Sequence, residues 1–134
     1  TKSPRSSAAA AIPPPLALDV NQGLPRGPYD AVFTANTLHI MGWDEVRRLF
    51  AGLESLLPEN GLFTAYGPFN IGARFTSEGN ARFDAELRRA DPRRGSRDLQ
   101  AGDALACAAG LRLLSDEPMP ANNRCVSWRR GVLR

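Results

Sequence analysis

Tyr29-Asp30-Ala31-Val32-Phe33-Thr34-Ala35-Asn36-Thr37-Leu38-His39-Ile40-Met41 is the stretch on which the reading of this 134-residue chain turns. Arg26-Gly27-Pro28 leads into it as a turn, Ala31 to Ala35 is a short apolar run, and Asn36, Thr37 and His39 close it with polar groups. A short apolar run flanked by Gly and Pro, and followed at once by helical periodicity, predicts a central strand of a parallel sheet covered on both faces. In an open α/β sheet, ligands sit beyond the carboxyl ends of the strands. The polar cluster falls at that end.

Downstream, Val46, Leu49, Phe50, Leu53, Leu56 and Leu57 recur at spacings of three and four, with Asp44 and Glu45 in the first turn, where the helix dipole favours anions. This predicts a helix from Trp43 to Leu57, stopped by Pro58 and turned by Asn60-Gly61 into a strand at Leu62 to Tyr66. Strand, helix and strand in this order form a crossover, so the two strands are expected to be parallel neighbours with Asn36 and Tyr66 on one rim. Ser77 is placed to cap a helix reaching about Ala90, with Phe83, Leu87 and Ala90 as its apolar stripe and Asn80 and Asp84 on a bordering face. Asp98 is a candidate cap for a helix through Leu105 to Ala109, with Gly110 as its stop. Leu111 to Glu117 and Arg124 to Arg130 then predict an antiparallel pair at the sheet edge. Upstream, Leu16 to Val20 is expected to be a short strand ending at Asp19, and residues 1–15, rich in Ser, Ala and Pro, are expected to be unstructured. Residues 16–134 then form one domain, small for a complete doubly wound sheet.

Composition narrows the function classes. The formal charge of +3 comes from arginine, with Lys2 the single lysine, and no aromatic interleaving accompanies the basic residues, so nucleic acid is not the expected partner. Cys107 and Cys125 have neither paired spacing nor a neighbouring histidine cluster, so no metal site is expected; they read as small core hydrophobes of a reducing compartment. No apolar stretch approaches the roughly 18 residues of a membrane span. The cytoplasm is the expected location, and the oligomeric state is not legible.

Tyr29-Asp30-Ala31-Val32 with Leu38-His39-Ile40, followed by Leu57-Pro58-Glu59-Asn60-Gly61-Leu62, resembles the second half of class I S-adenosylmethionine-dependent methyltransferases. More narrowly, Tyr66-Gly67-Pro68-Phe69, the Ser77 to Asp84 segment, Gly95-Ser96-Arg97-Asp98 and Met119-Pro120-Ala121-Asn122-Asn123 resemble the methyltransferase-like 26 family, long catalogued as a domain of unknown function. The likeness runs from about Pro14 to Arg130. It implies a Rossmann-like α/β sheet of which this chain holds the later strands, without the glycine-rich loop after the first strand or the acidic residue after the second. A fragment is therefore expected, and one not expected to bind the cofactor S-adenosyl-L-methionine alone.

By the same resemblance Asp19 would accept from the adenine amino group and Val20 would touch the ring, the alternative for Asp19 being a turn-forming carboxylate. Asn36, Thr37, Leu38 and His39 would line the cofactor and the transferred methyl group. His39, the single histidine, is the candidate base, or a structural histidine, since methyl transfer needs chiefly in-line positioning. Tyr66, Asn80, Asp84, Arg97, Asp98, Asn122 and Asn123 would surround the pocket of a small-molecule or otherwise unidentified methyl acceptor. Helix capping by Asn80 and Asp98, and a hairpin turn shaped by the two asparagines, are the competing roles. The competing function is a truncated or degenerate relative that serves as an interaction module or has no activity.

Overall fold

The computed structural model describes residues 14–131. Its spine is the crossover expected from the sequence: β1 (Ala31–Ala35), α1 (Trp43–Leu56) and β2 (Leu62–Gly67), with β1 and β2 parallel and Val32 opposite Phe63. The chain continues through β3 (Phe69–Asn70), α2 (Glu78–Ala90), β4 (Arg97–Asp98), α3 (Leu99–Ala108), β5 (Leu111–Met119) and β6 (Asn123–Arg130). The main sheet has the order β1-β2-β6-β5, with β6 antiparallel to both neighbours, and β3 pairs with β4 in a separate parallel ribbon. The antiparallel pair at the edge is thus present, its hairpin tip closed by a 3-10 turn at Pro120–Asn122.

One face of the sheet carries the core. The pleat puts Phe63, Ala65, Val126 and Trp128 on the same side, where α1 contributes Val46, Leu49, Phe50, Leu53 and Leu56 and α3 contributes Leu99 and Ala106. Phe50, Phe63 and Trp128 meet ring to ring with centroids 5.4–5.8 Å apart. The indole Nε1 of Trp128 donates to Asp103 at 3.0 Å. On the opposite face Phe33 is 67% exposed, Ala31 and Ala35 are exposed, and Leu62, Thr64, Tyr66, Cys125 and Ser127 are half-buried.

Four expectations need correction. The strand at Ala31–Ala35 is not central but the edge of the four-stranded sheet, because its second side has no partner strand among the described residues. Leu16 to Val20 forms no strand: residues 14–19 are exposed, and Asp19 accepts the Asn21 N–H at 2.9 Å in a local turn bridged to Gly23. On α2 the buried residues are Asn80, Asp84 and Leu87, while Phe83 is 38% exposed and Ala90 is exposed, so the inward face is largely polar. Cys107 is exposed on α3 and Cys125 half-buried on β6, neither within the core. The expectation for residues 1–15 concerns a segment almost wholly outside the described residues.

Candidate functional site

The carboxyl ends of β1 and β2 lie abreast, because the Asn36 N–H donates to the Tyr66 carbonyl at 2.8 Å. Beyond Asn36, which has a left-handed φ of 55°, the Thr37 carbonyl accepts from the N–H groups of Ile40 and Met41. That turn tucks Leu38 and His39 inward, to 7% and 5% exposure. The Thr37 hydroxyl donates to the Ala35 carbonyl at 3.0 Å. The His39 ring stands edge-on to Phe83 at 5.5 Å, and its Nδ1–Cε1 edge faces Gly67, where a Cβ would lie 3.7 Å from Nδ1.

Around His39 the chain folds three distant loops together through directed hydrogen bonds. The Gly95 N–H donates to the His39 carbonyl at 2.9 Å, and the Ser96 N–H donates to Asp84 Oδ1 at 2.7 Å, while Arg88 Nε donates to Asp84 Oδ2 at 2.8 Å. Asn80 Nδ2 donates to the Asn122 carbonyl at 3.1 Å and to the Thr76 hydroxyl at 3.0 Å. Asn123 Nδ2 donates to the Tyr66 hydroxyl at 3.2 Å. Asn122 and its neighbour Ala121 both have left-handed φ, 60° and 61°. Among the described residues the buried polar side chains are His39, Asn80, Asp84 and Ser96, all in this cluster.

Arg97 is turned inward. Its Nε donates to the Leu38 carbonyl at 3.1 Å and its Nη2 to the carbonyls of Arg93, at 2.9 Å, and Met41. The guanidinium also lies over the Trp43 ring at 5.7 Å. Its donors therefore clamp the turn that carries His39 instead of reaching toward an acceptor. Together Leu38, His39, Tyr66, Gly67, Phe69 and Arg97 line a cleft of about 10 Å³, the size of one water. A groove of about 610 Å³ between α1 and α3, lined among others by Arg47, Phe50, Glu54 and Leu105, contains none of the expected site residues.

Other expected site residues lie apart. Asp19 is engaged in its own turn, and the next residues tie to α1 through Asn21, whose Nδ2 donates to Glu45 at 2.7 Å. Val20 packs on the core from outside. Asp98 occupies the N-cap position of α3 without capping it; its carboxylate instead accepts the Ala73 N–H at 2.7 Å. Sequence reasoning missed Ser96 and Asn70. The Ser96 hydroxyl and Asn70 Oδ1 are buried with no hydrogen-bond partner, and a buried serine in a Gly-Ser-Arg loop carries no periodicity by which to find it. Among the described residues no group of three or more His, Cys, Asp or Glu is arranged to hold a metal, and no helix is long and apolar enough to cross a membrane.

Burial, and secondarily the charge of Arg97, hold the His39 pKa below its ordinary value of 6.5. The imidazole is neutral at pH 7. An unfolded chain takes up a proton at His39 before the folded one does, so folding stability is full above about pH 6.5 and falls as pH drops below it. His39→Asn is expected to flatten this part of the curve of denaturation midpoint against pH between about 7.5 and 5. An unchanged slope would show that the ring is not shielded.

Solved structures with the same fold include the mitomycin 7-O-methyltransferase (TM-score 0.73, 20% identity, 87% of this chain and 33% of that one). An O-methyltransferase family protein from Burkholderia thailandensis matches at TM-score 0.72 and 16% identity, over 87% of this chain and 34% of that one. Human N-acetylserotonin methyltransferase, solved with S-adenosylmethionine, matches at 0.67 and 17%, over 81% and 31%. At these identities the likeness is one of fold: a partial Rossmann-like sheet of the class I methyltransferase kind. This chain spans about a third of the length of each of these proteins. The sequence profile described as "Protein of unknown function (DUF938)" matches residues 2–130, so the chain belongs to that family.

Proposed function

We propose that this chain supplies the acceptor side of an S-adenosylmethionine-dependent methyltransferase site whose cofactor loop lies in a preceding part of the same fold. The observation that carries this is convergence. The four segments that resemble the methyltransferase-like 26 family, 66–69, 77–84, 95–98 and 119–123, are far apart in sequence yet joined around His39 by Asn123 to Tyr66, Asn80 to Asn122 and Ser96 to Asp84. That finer family likeness is part of the proposal.

The residues on the rim suit the cofactor. Asn36, Thr37, Tyr66 and a neutral imidazole offer uncharged oxygens and nitrogens, and the Nε and Nη2 donors of Arg97, which keeps its positive charge at the cleft, are taken up by backbone carbonyls. When bound, S-adenosylmethionine supplies an electrophilic methyl group. Asn36 and Thr37, at the end of β1, would border it. His39, with its proton on Nε2, would take a proton at Nδ1 from an acceptor that has one to lose. Tyr66 and the Asn122-Asn123 tip would orient that acceptor, a small molecule by analogy with the mitomycin enzyme.

Calorimetric titration tests the proposal. S-adenosylmethionine is expected to give no measurable heat with this chain and to bind the chain extended upstream. Micromolar binding by the short chain would show that the cofactor loop has been misplaced; no binding by the extended chain would favour a non-catalytic module. The free edge and exposed Phe33 of β1 are what such a module would use.

A further inference from the structure

Three polar side chains line the cleft at the ends of β1 and β2: His39, Tyr66 and Arg97. Each has a donor to offer. The Tyr66 oxygen accepts from Asn123, which leaves the hydroxyl hydrogen without an acceptor among the described residues. The neutral imidazole carries one ring N–H. Arg97 donates through Nε and Nη2, and its Nη1 has no partner among the described residues. No carboxylate side chain lines the cleft, and the rest of its lining is apolar or glycine.

Charge is the larger imbalance. The carbonyls of Leu38, Met41 and Arg93 and the Trp43 ring hold the half-buried guanidinium in place, but neutral groups do not cancel its charge. Among the described residues no carboxylate oxygen lies within 4.0 Å of it. The carboxylate whose field reaches Arg97 is Asp84, and that group is already paired with Arg88 at 2.8 Å and accepts the Ser96 N–H. Arg88 and Arg97 therefore face one carboxylate, which leaves a single positive charge over. Burial, and secondarily the charge of Arg88, lower the Arg97 pKa, with Asp84 opposing; the guanidinium stays protonated. A cation drawn out of water without a counter-charge is unfavourable until an anion supplies one.

We infer that the cleft is an anion seat: it takes a carboxylate of the methyl acceptor against Arg97, with the Tyr66 hydroxyl donating to the same group. The space of about 10 Å³ admits one oxygen, in the place of one water. Leu38, Pro68 and Phe69 beside it suit an apolar body on which that carboxylate is carried. A carboxylate matches the single uncompensated charge, whereas a phosphate dianion exceeds it. Neutralising Arg97 also removes a cation that would repel a neighbouring sulfonium, so anchoring the acceptor favours the cofactor. The inference rests on the methyl-transfer reading for the acceptor's role as substrate, but the seat is measured without cofactor.

Titration of the full-length protein that contains this chain with sodium benzoate, with its neutral isostere benzamide and with inorganic phosphate tests it, read by NMR at the Arg97 Nε–H and the His39 Cε1–H. Benzoate is expected to shift both signals saturably and to bind on the order of tenfold more tightly than benzamide. Tyr66→Phe, which leaves the Arg97 clamp in place, is expected to weaken benzoate by on the order of tenfold and benzamide by less. Equal affinity for benzoate and benzamide, or benzoate binding that moves neither signal, would overturn the seat. Phosphate binding more tightly than benzoate would overturn the assignment to a carboxylate. If Tyr66→Phe does not fold, the difference between benzoate and benzamide decides. Benzoate binding at Arg97 in a protein that takes up no S-adenosylmethionine would remove the methyl-transfer reading and leave the seat standing; cofactor binding without benzoate binding would do the reverse.

Discussion

Trp128→Ala is expected to lower stability by about 3–5 kcal/mol, against a typical domain total of about 5–15 kcal/mol. Trp128 has no exposed surface, stacks on Phe63 at 5.8 Å, meets Phe50 edge-on at 5.7 Å and donates to Asp103. Truncation removes the indole's transfer energy, leaves a void between α1 and the sheet, and deprives Asp103 of its donor. Relaxation cannot fill that void cheaply, because both flanking rings are fixed by elements on either side. Trp128→Phe keeps most of the ring and loses chiefly the hydrogen bond, about 1 kcal/mol. Urea titration followed by circular dichroism separates the two variants; a Trp128→Ala midpoint within experimental error of wild type would show that the aromatic cluster is not the centre of this fold.

Arg97→Met is expected to cost about 2 kcal/mol, the summed effect of carbonyls left without charged donors and a lost cation–π contact, reduced because the site is half-exposed. The larger effect is on geometry. Without the clamp, the Leu38 and Met41 carbonyls no longer hold the turn that buries His39. Arg97→Lys should not restore it, since one ammonium cannot reproduce the guanidinium fork. Because burial and the Arg97 charge are the two causes that depress the His39 pKa, Arg97→Met should move it up toward 6.5. Titration of the His39 ring by NMR reads this directly; an unmoved pKa in a folded variant would mean that Arg97 does not position the turn.

What could be read from the chain itself was whatever is local and periodic. The six apolar positions from Val46 to Leu57 specify α1, and the breakers on either side place β1 and β2 parallel and abreast. Ser77 caps α2 as expected, its hydroxyl accepting the Asn80 N–H at 3.0 Å. The polar face of α2 was not legible, because Asn80 and Asp84 are buried by bonds to backbone groups of residues 122 and 96, which periodicity does not reveal. Arginine at position 97 was expected to face an acceptor; its partners are carbonyls from three separate positions, known only after folding. The two-residue ribbon of β3 and β4 was too short to leave a pattern.

The edge position of β1 carries the account furthest. Leu62 N–H donates to Asp30 and Asn36 N–H to Tyr66, so in a parallel ladder the even-numbered residues of β1 face β2. Ala31, Phe33 and Ala35 then turn their N–H and C=O groups outward, beside a 67% exposed Phe33. A strand this apolar with an open side fits a sheet whose next strand comes from elsewhere in the same protein. Residue-resolved amide exchange at Phe33 and Ala35, in this chain and in the chain extended upstream, tests that claim. Fast exchange in the short chain and protection comparable to β2 in the extended one is the expected result. Equal exchange of these two amides in both would mean that β1 is a natural edge and that no preceding strand completes the site.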